Sequence, residues 1–534
     1  MASGKNVKAV KGSRSADKSA GQKPKRISGW DFATWRTASD HQMLRSTMIA
    51  IYLLDRAPDW DRLVERYDRA SRQAPVLRMK VVEGPVPFAN PRLVVDEHFD
   101  LSFHLRRFNL PKGSTWDDVL EDGRRQGMTD FDRDRSLWRV TVLEGLPDGK
   151  AALIFKLHHA IADGQGALQI GASLVDLTQD GEDLGPMPDA PVAGDLSSKR
   201  TFGKLMVTDN VRWFAATATE FAKAAPEAAE AALKDPLSAI GKVAEIARSF
   251  VKFADLPSAP ASPVMVDRSV NFHCTAFTLP FEDIRSAAKA SGHTANDVFL
   301  ASISEGMTRY HRLHDAPVGH LNISTPISTR KAGDDEGNAV GIAHFQLPLG
   351  ERDSAKLMTH IHKIVKKWRA EPVIGYSFGL GEVSRFLPSE MVISGATSSD
   401  LTASNVPGPP VELWMAGAKI EHIVPFPPLI GAAVFIAMLT YNGEACIGIS
   451  ADDAAVDDLD VLMQCLADGF AYVTGKPVAV DGLYATPNAP SKKPTGNRTT
   501  PKKAPAERAS AKRAPTRQAS RKSTAKPRKK AAAS

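Results

Sequence analysis

Cysteine is scarce in this sequence, with three residues in 534. Cys274, Cys446 and Cys465 lie far apart and form no CxxC pair, which argues against a disulfide framework and against a cysteine-based zinc site. Long apolar runs are also missing: the longest without proline, Leu429 to Leu439, has eleven residues, whereas a membrane-spanning helix needs about 20. Residues 1–26 contain no apolar segment of the signal-peptide type. These absences predict a cytoplasmic protein without a membrane-spanning helix.

Positive charge is missing, on balance, from the central part of the chain. The net charge is +7, but residues 1–26 carry +7 and residues 491–534 carry +14, which leaves −14 for residues 27–490. Both terminal segments lack apolar periodicity, so burial cannot offset the entropy lost on ordering them. The sequence predicts an acidic folded body between two disordered basic tails. These tails are either solvated spacers or segments attracted to anionic lipid; nucleic acid is disfavoured because residues 491–534 contain no aromatic residue for base stacking.

The length predicts more than one core-forming unit. Strand and helix patterns occur on both sides of an alanine-rich helical segment, which predicts an α/β protein in two halves joined by a crossover. The predicted divisions are a disordered basic tail (1–26), an N-terminal half (27–195), a helical crossover linker (196–263), a C-terminal half (264–482) and a second disordered basic tail (483–534).

Local patterns predict individual elements. Met48 to Leu54 is a buried strand by its apolar run, and Asp59 is placed to cap a helix that Pro75 ends. Val76 to Val82 is predicted as the next strand. Ser404 to Pro410 contains three prolines and a glycine, which predicts a rigid turn.

The most informative stretch is residues 157–166, Leu-His-His-Ala-Ile-Ala-Asp-Gly-Gln-Gly, in which an apolar strand leads into two histidines. An imidazole can accept a proton near neutral pH, and Asp163 stands where a helix N-cap would hold the loop. Alternation along the strand places His158 on the same face as Lys156 and His159 on the opposite face. The pattern predicts a site that activates a hydroxyl group.

This stretch has two other interpretations. A histidine can be a core residue whose hydrogen bonds are satisfied by its neighbours. Histidine and aspartate are also metal ligands, but no further His, Cys, Asp or Glu group shows ligand spacing. We therefore predict no metal and no cofactor. The sequence shows no glycine-rich loop of the kind that binds nucleotide phosphates.

With these residues, the sequence resembles the acyl-CoA-dependent acyltransferase superfamily that includes chloramphenicol acetyltransferase and peptide-synthetase condensation domains. It is most similar to the bacterial wax ester synthase/diacylglycerol acyltransferase family. One departure is visible, since the family commonly has Pro-Leu-Trp where this chain has Ser136-Leu137-Trp138. The matching motifs, which run from about Gly29 to Gly475, are His158-His159-x3-Asp163-Gly164, Ser136-Leu137-Trp138 before Glu144-Gly145-Leu146, Asn296-Asp297, Ser404-Asn405-Val406-Pro407-Gly408-Pro409 and Tyr441-Asn442-Gly443.

The resemblance implies an α/β fold of two similar halves like chloramphenicol acetyltransferase, with a tunnel between them through which thioester and acceptor reach the second histidine. It implies that His159 is the general base. We assign Asp163 to holding the loop and the orientation of the imidazole. His158 is expected to pack or to form hydrogen bonds rather than to react.

The oxyanion that develops on the thioester needs hydrogen-bond donors. Asn296 and Asn405 are candidates by residue type, and Asp297 and Gly164 are included as candidate substrate-binding residues. For Asn296 and Asp297 the alternative is a helix start, because Thr294 and Asp297 have capping-box spacing. For Asn405 the alternative is a turn residue. Trp138 is expected in the core.

The sequence therefore predicts an O-acyltransferase that moves a fatty acyl group from acyl-CoA, a co-substrate, to diacylglycerol or a long-chain alcohol. No acyl-enzyme is required. Its predicted partners are these substrates and an anionic membrane or lipid-droplet surface, with peripheral association. Two alternatives remain: a non-catalytic lipid-surface or scaffold protein with the same fold, and acyl transfer to another acceptor or from a carrier protein.

Overall fold

The computed structural model describes residues 24–27, 29–83, 90–162, 164–193, 257, 259–328, 340–371 and 389–480. Asp163, nearly all of the predicted crossover linker and most of both predicted tails lie outside the described residues. Lys25 and Arg26 are described, and they pair with Leu93 and Arg92 in a short antiparallel ladder. Strand pairing therefore begins just before the predicted start of the N-terminal half.

The N-terminal half alternates strands and helices, as the periodicity predicts. In chain order it contains β1 (Lys25–Arg26), α1 (Gly29–Asp40), β2 (Thr47–Leu54), α2 (Trp60–Gln73), β3 (Met79–Val82), β4 (Arg92–Val95), α3 (Leu101–His104), β5 (Leu105–Asn109), α4 (Trp116–Met128), β6 (Trp138–Glu144), β7 (Ala151–His158) and α5 (Gly164–Ala172).

The C-terminal half has the same mixed character. In chain order it contains β8 (Phe272–Pro280), α6 (Phe281–Ser291), α7 (Ala295–Leu313), β9 (His320–Ser328), β10 (Val340–Pro348), α8 (Ser354–Arg369), α9 (Ser389–Thr397), β11 (Leu401–Val406), β12 (Trp414–Met415), β13 (Ala418–Phe426), β14 (Val434–Tyr441), β15 (Glu444–Asp452) and α10 (Leu459–Thr474).

Within the described residues, the strands form two six-stranded sheets and one small sheet. The N-terminal sheet has the order β12-β13-β2-β7-β6-β5, and the C-terminal sheet has the order β10-β9-β11-β14-β15-β8. The small sheet has the order β1-β4-β3. Strand β7 lies in the interior of its sheet, antiparallel to β2 on one side and to β6 on the other.

The two halves share one sheet. Strands β12 and β13 come from the C-terminal half, yet β13 pairs antiparallel with β2 of the N-terminal half. The Tyr441 hydroxyl strengthens this connection, because it donates to the carbonyl oxygen of Ile420 (2.9 Å) and accepts from the backbone N–H of Leu413 (3.0 Å). The two halves are therefore joined by backbone pairing as well as by packing.

Each main sheet buries its apolar side chains against helices. In the C-terminal half, α7 is the central helix, and Phe299, Ile303, Met307 and Tyr310 are all buried in one cluster with strands β8, β9, β14 and β15. Their helical spacing explains this shared face. The predicted capping box is confirmed: Thr294 accepts from the backbone N–H of Asp297, and Asp297 accepts from that of Thr294.

Other local predictions are also confirmed. The predicted strand at Met48 to Leu54 is β2, and the Asp59 side chain accepts from the backbone N–H of Arg62 at the start of α2. Trp138 is a core residue, 1% exposed, whose indole N–H donates to the carbonyl oxygen of Leu77 (2.7 Å).

Two predictions were partly wrong. The strand expected from Val76 to Val82 begins only at Met79, because Pro75 opens a 3₁₀ turn through Arg78; the fixed φ of proline favours such a turn start. The turn expected at Ser404 to Pro410 begins only after Val406, because residues 401–406 form β11 and pair in parallel with β14. Pro407 can donate no ladder hydrogen bond.

No helix in the described part of the chain is both long enough and apolar enough to cross a bilayer.

Candidate active site

The two adjacent histidines stand at the end of β7, and neighbouring chain segments fix their backbone on both sides. The backbone N–H of His158 donates to the carbonyl oxygen of Leu137 (3.0 Å), just before β6. The N–H of His159 donates to the carbonyl oxygen of Ser46 (2.9 Å), just before β2. Both residues therefore continue the sheet ladder at the point where the chain turns away.

His158 is a buried structural residue. It is 2% exposed, and its ring meets the edges of Trp35 and Phe131 at centroid distances of 5.5 Å and 5.8 Å. Its Nδ1 accepts a hydrogen bond from the backbone N–H of Ala160 (3.0 Å). Since a backbone N–H can only donate, Nδ1 carries no proton, and the neutral ring holds its proton on Nε2.

Burial also opposes a charge on this ring. Desolvation lowers the pKa of His158 to about 3, with a smaller contribution from the neighbouring His159. The lone pair of the neutral ring is already occupied by Ala160. His158 therefore lacks a free proton-accepting atom, which agrees with the packing role expected from the sequence.

Lys156 lies on the same face of β7 as His158. Its Nζ is 4.4 Å from the centroid of the Phe131 ring, which also contacts His158. The ammonium group donates to the carbonyl oxygen of Thr129 (2.6 Å), and desolvation lowers its pKa to about 7. The alternation predicted for this strand is confirmed through His158. Strand β7 ends there, so the side of the sheet that His159 faces stays a prediction.

His159 differs from His158 in its exposure. Its side chain is 31% exposed, and its Nδ1 lies 3.7 Å from Oδ1 of Asp31 on α1. The carboxylate of Asp31 is 19% exposed. A nearby carboxylate favours the protonated imidazolium over the neutral ring. The arrangement can therefore stabilise the charge that forms when the other ring nitrogen accepts a proton.

Asp31 was missed by the sequence analysis. It belongs to no recognisable motif, and it is distant in sequence from the two histidines. A carboxylate in the first turn of a helix, as Asp31 is in α1, is ordinarily explained by the helix dipole alone. Only the packing of α1 over the end of β7 brings the carboxylate to the imidazole.

The departure from the family motif at Ser136 is accommodated by a hydrogen bond. The Ser136 hydroxyl donates to the carbonyl oxygen of Val76 (3.3 Å), and the residue is 2% exposed. The next residue, Leu137, supplies the carbonyl oxygen that holds His158. The segment therefore keeps its contact with the histidine strand although a proline is replaced by serine.

The other candidate residues lie in the C-terminal half. Asn296 is partly buried in the first turn of α7. Asp297 is 1% exposed, and its Oδ2 accepts from the backbone N–H (2.9 Å) and the hydroxyl (2.8 Å) of Thr294. The helix-start role of Asp297 is thus observed, whereas a substrate contact by either residue stays a prediction.

Asn405 lies in β11, where it is paired with Met438 of β14 and is partly buried. It is therefore a strand residue rather than the turn residue that was the alternative. Gly164 is the first residue of α5, directly after Asp163. The predicted role of Asp163 falls on a residue outside the described part of the chain.

A small cleft lies between the two halves at the start of β2. It is lined by Arg45 and Thr47 on one side and by Phe272, Pro428 and Leu429 on the other. Thr47 is the β2 partner of His158. His159 is not among the described residues that line this cleft, so the tunnel implied by the resemblance stays a prediction.

Comparison with known proteins gives a consistent result for both halves. Residues 27–299 match the model of the wax ester synthase/diacylglycerol acyltransferase catalytic domain, and residues 336–473 match the model of the WS/DGAT C-terminal domain. The protein "Putative diacyglycerol O-acyltransferase Rv2484c" of Mycobacterium tuberculosis is 31% identical over 430 residues, which cover 80% of this chain and 87% of that protein.

Solved structures share the fold. Wax ester synthase/diacylglycerol acyltransferase from Marinobacter aquaeolei VT8 is 20% identical with a TM-score of 0.54, covering 84% of this chain and all of that one. The first condensation domain of the calcium-dependent antibiotic synthetase is 15% identical with a TM-score of 0.56. The match covers 86% of this chain and 99% of that domain. The predicted two-part α/β fold is confirmed. From these matches, the chain belongs to the wax ester synthase/diacylglycerol acyltransferase family.

Proposed function

We propose that this acyltransferase moves a fatty acyl group from acyl-CoA to the hydroxyl of diacylglycerol or of a long-chain alcohol, with His159 as the general base. The observation that carries the proposal is the contrast between the two histidines. His158 is sealed in the core with its Nδ1 occupied, whereas His159 is partly exposed beside a carboxylate. Family membership supplies the reaction class.

The proposed reaction needs one proton carrier and no covalent enzyme intermediate. A ring nitrogen of His159 accepts the proton of the acceptor hydroxyl as its oxygen attacks the thioester carbonyl carbon. A C–O bond forms, the C–S bond breaks, and the imidazolium returns the proton to the departing coenzyme A thiolate. The products are an ester and free coenzyme A, and the imidazole is neutral again.

Asp31 is proposed as a positioning residue for this base. Its carboxylate faces Nδ1, so it stabilises the imidazolium at the moment when Nε2 carries the transferred proton. Asn405 and Asn296 are proposed as donors to the thioester oxyanion, with Asp297 and the backbone of Gly164 as further substrate contacts. Asp163 is proposed to hold the loop after His159.

Replacing Asp31 by Asn removes the charge and keeps the shape. We expect kcat to fall about tenfold with KM little changed, since two charges about 4 Å apart at a partly exposed site interact by roughly 1 to 4 kcal/mol. Asp31→Glu keeps the charge and should recover part of the rate. Steady-state kinetics on the three proteins would test this, and a rate for Asp31→Asn equal to wild type would exclude the positioning role.

The acceptor and donor are best identified together. Purified protein would be given mixed acyl-CoA donors with diacylglycerol and a panel of long-chain alcohols, and the esters would be measured by mass spectrometry. A thiol reagent would follow the release of coenzyme A in parallel. We expect ester formation to match thiol release one to one and to require an alcohol.

The same assay separates the alternatives. A non-catalytic scaffold would release no thiol with any acceptor. An enzyme that uses carrier-protein thioesters, as the condensation-domain fold allows, would be inactive with acyl-CoA but active with an acylated carrier protein. Either result would contradict the proposal.

We also propose that the basic terminal segments hold the enzyme at an anionic membrane or lipid-droplet surface. Residues 491–534 carry +14, and each basic residue near such a surface contributes about 1 kcal/mol. Liposomes with anionic lipid should sediment the full chain but not a chain of residues 27–482, and the difference should disappear in high salt. Equal sedimentation of both proteins in low salt would exclude this role.

A further inference from the structure

A second cluster of ionisable side chains lies in the C-terminal half, apart from the two histidines of β7. It consists of His293 between α6 and α7, Asp297 in the first turn of α7, and His362 on α8. One ligand-type atom from each residue lies within 4.8 Å of those of the other two. The histidine rings are 5.4 Å apart between centroids.

Local backbone structure fixes the first ligand. Helix α6 ends at Gly292, which has a positive φ of 71° that glycine adopts without strain. The backbone N–H of His293 then donates to the carbonyl oxygen of Ala288 (2.9 Å), closing the helix end. Thr294 follows at once as the N-cap of α7. His293 is thus held between two helix ends.

The hydrogen bonds around His293 also fix where its proton lies. The Thr359 hydroxyl donates to the carbonyl oxygen of Ala355 (2.8 Å), so it can only accept from Nε2 of His293 (3.1 Å). The ring proton is therefore on Nε2, and Nδ1 has a free lone pair. That Nδ1 atom is buried and has no hydrogen-bond partner among the described residues. An unsatisfied buried acceptor is unfavourable unless something binds it.

Hydrogen bonds also hold the other two proposed ligands, Asp297 and His362, in place. The Asp297 carboxylate is 1% exposed and is oriented by the backbone N–H and hydroxyl of Thr294. Nδ1 of His362 lies 2.9 Å from Oδ2 of Asp297. Thr294 is not itself a ligand, and it orients the carboxylate as groups outside a metal site usually orient the ligands. The contact between His362 and Asp297 is a hydrogen bond that holds the two side chains together, and a bound ion would replace it.

We propose that His293, Asp297 and His362 bind a divalent metal ion of the zinc type. Two imidazoles and one carboxylate are a donor set that zinc prefers, with a fourth position left for water. The ion would satisfy Nδ1 of His293 and would link the start of α7 to α8. Its expected effect is on the stability of the C-terminal half rather than on the proton transfer proposed for His159.

The test uses the full chain after treatment with a chelator and dialysis. Zinc would be titrated by calorimetry and counted by elemental analysis in wild type, His293→Ala, His362→Ala and His360→Ala. His360 is an exposed residue on the same helix as His362 and is the matched control. We expect one zinc per chain in wild type and His360→Ala, and binding weaker by at least about tenfold in the other two. Zinc should also raise the melting temperature of wild type and His360→Ala, but not that of His293→Ala or His362→Ala.

Cobalt gives a readout that does not depend on variants, since a variant can lose its fold for other reasons. Co²⁺ bound to the chelator-treated wild type should show the visible absorption of a low-coordinate site with nitrogen and oxygen ligands, and zinc should displace it. Absence of this absorption, or equal zinc affinity in all four proteins, would overturn the proposal.

Discussion

Replacing His159 by Ala should lower kcat/KM by about 10²- to 10⁴-fold, the contribution of a well-placed general base. The melting temperature should stay close to that of wild type, because the His159 side chain is 31% exposed and its removal leaves no large cavity. Rates of ester formation with saturating acyl-CoA, measured beside thermal melts, would separate the two effects.

The matched control is His98→Ala, which removes an exposed histidine from the same half. It should leave both rate and melting temperature unchanged. Wild-type turnover in purified His159→Ala would show that another group removes the proton, and the assignment of the base would then fail. A variant that is inactive because it is unfolded would show a lowered melting temperature or no unfolding transition.

Replacing His158 by Ala should, unlike His159→Ala, cause a large loss of stability. The change leaves a cavity between Trp35 and Phe131 and removes the acceptor for the Ala160 N–H, which together should cost about 2–5 kcal/mol. Activity should fall as well, because the turn that presents His159 is no longer held. Chemical denaturation monitored by tryptophan fluorescence would measure the loss.

His158→Asn is the informative partner variant. An asparagine side-chain oxygen can accept the N–H two residues on, so it should restore the hydrogen bond but not the packing. We expect a stability between those of wild type and His158→Ala. Equal stability of the Ala and Asn variants would show that the hydrogen bond to Ala160 contributes nothing.

The same residue predicts a pH dependence. The folded-state pKa of His158 is about 3, below the ordinary value of 6.5, so the unfolded chain binds a proton that the folded chain does not. Its contribution to stability is therefore complete above pH 6.5 and is lost as the pH falls toward 3. The stability difference between wild type and His158→Asn should shrink over that interval in denaturation curves.

Much of the local structure was predictable from the sequence, because short-range patterns report it directly. The apolar run at Met48 to Leu54 and the capping residues Asp59 and Thr294 each depend on neighbours a few positions away. The paired histidines at the end of a strand, together with four other motifs in order, were enough to indicate the family. The α/β class followed from the alternation of strand and helix periodicity.

The local patterns failed where a distant segment decides the outcome. Ser404 to Val406 have the composition of a turn, but pairing with β14 keeps them in a strand. By its position in the sequence, strand β13 belongs to the C-terminal half. In the structure it pairs with β2 and is part of the N-terminal sheet. Pairing between remote strands leaves no periodic trace in either one, so neither result could be predicted from the sequence alone.

The sequence by itself determined the family and the candidate residues for the chemistry, since the histidine pair at a strand end and the other family motifs each consist of neighbouring residues. Tertiary structure alone decided what surrounds them: that Asp31 stands beside His159, that Trp35 and Phe131 enclose His158, and that His362 meets His293 and Asp297. The physical reason is that secondary structure follows from interactions over a few residues, whereas a charge or a cavity at the site depends on helices and loops that pack from elsewhere in the chain.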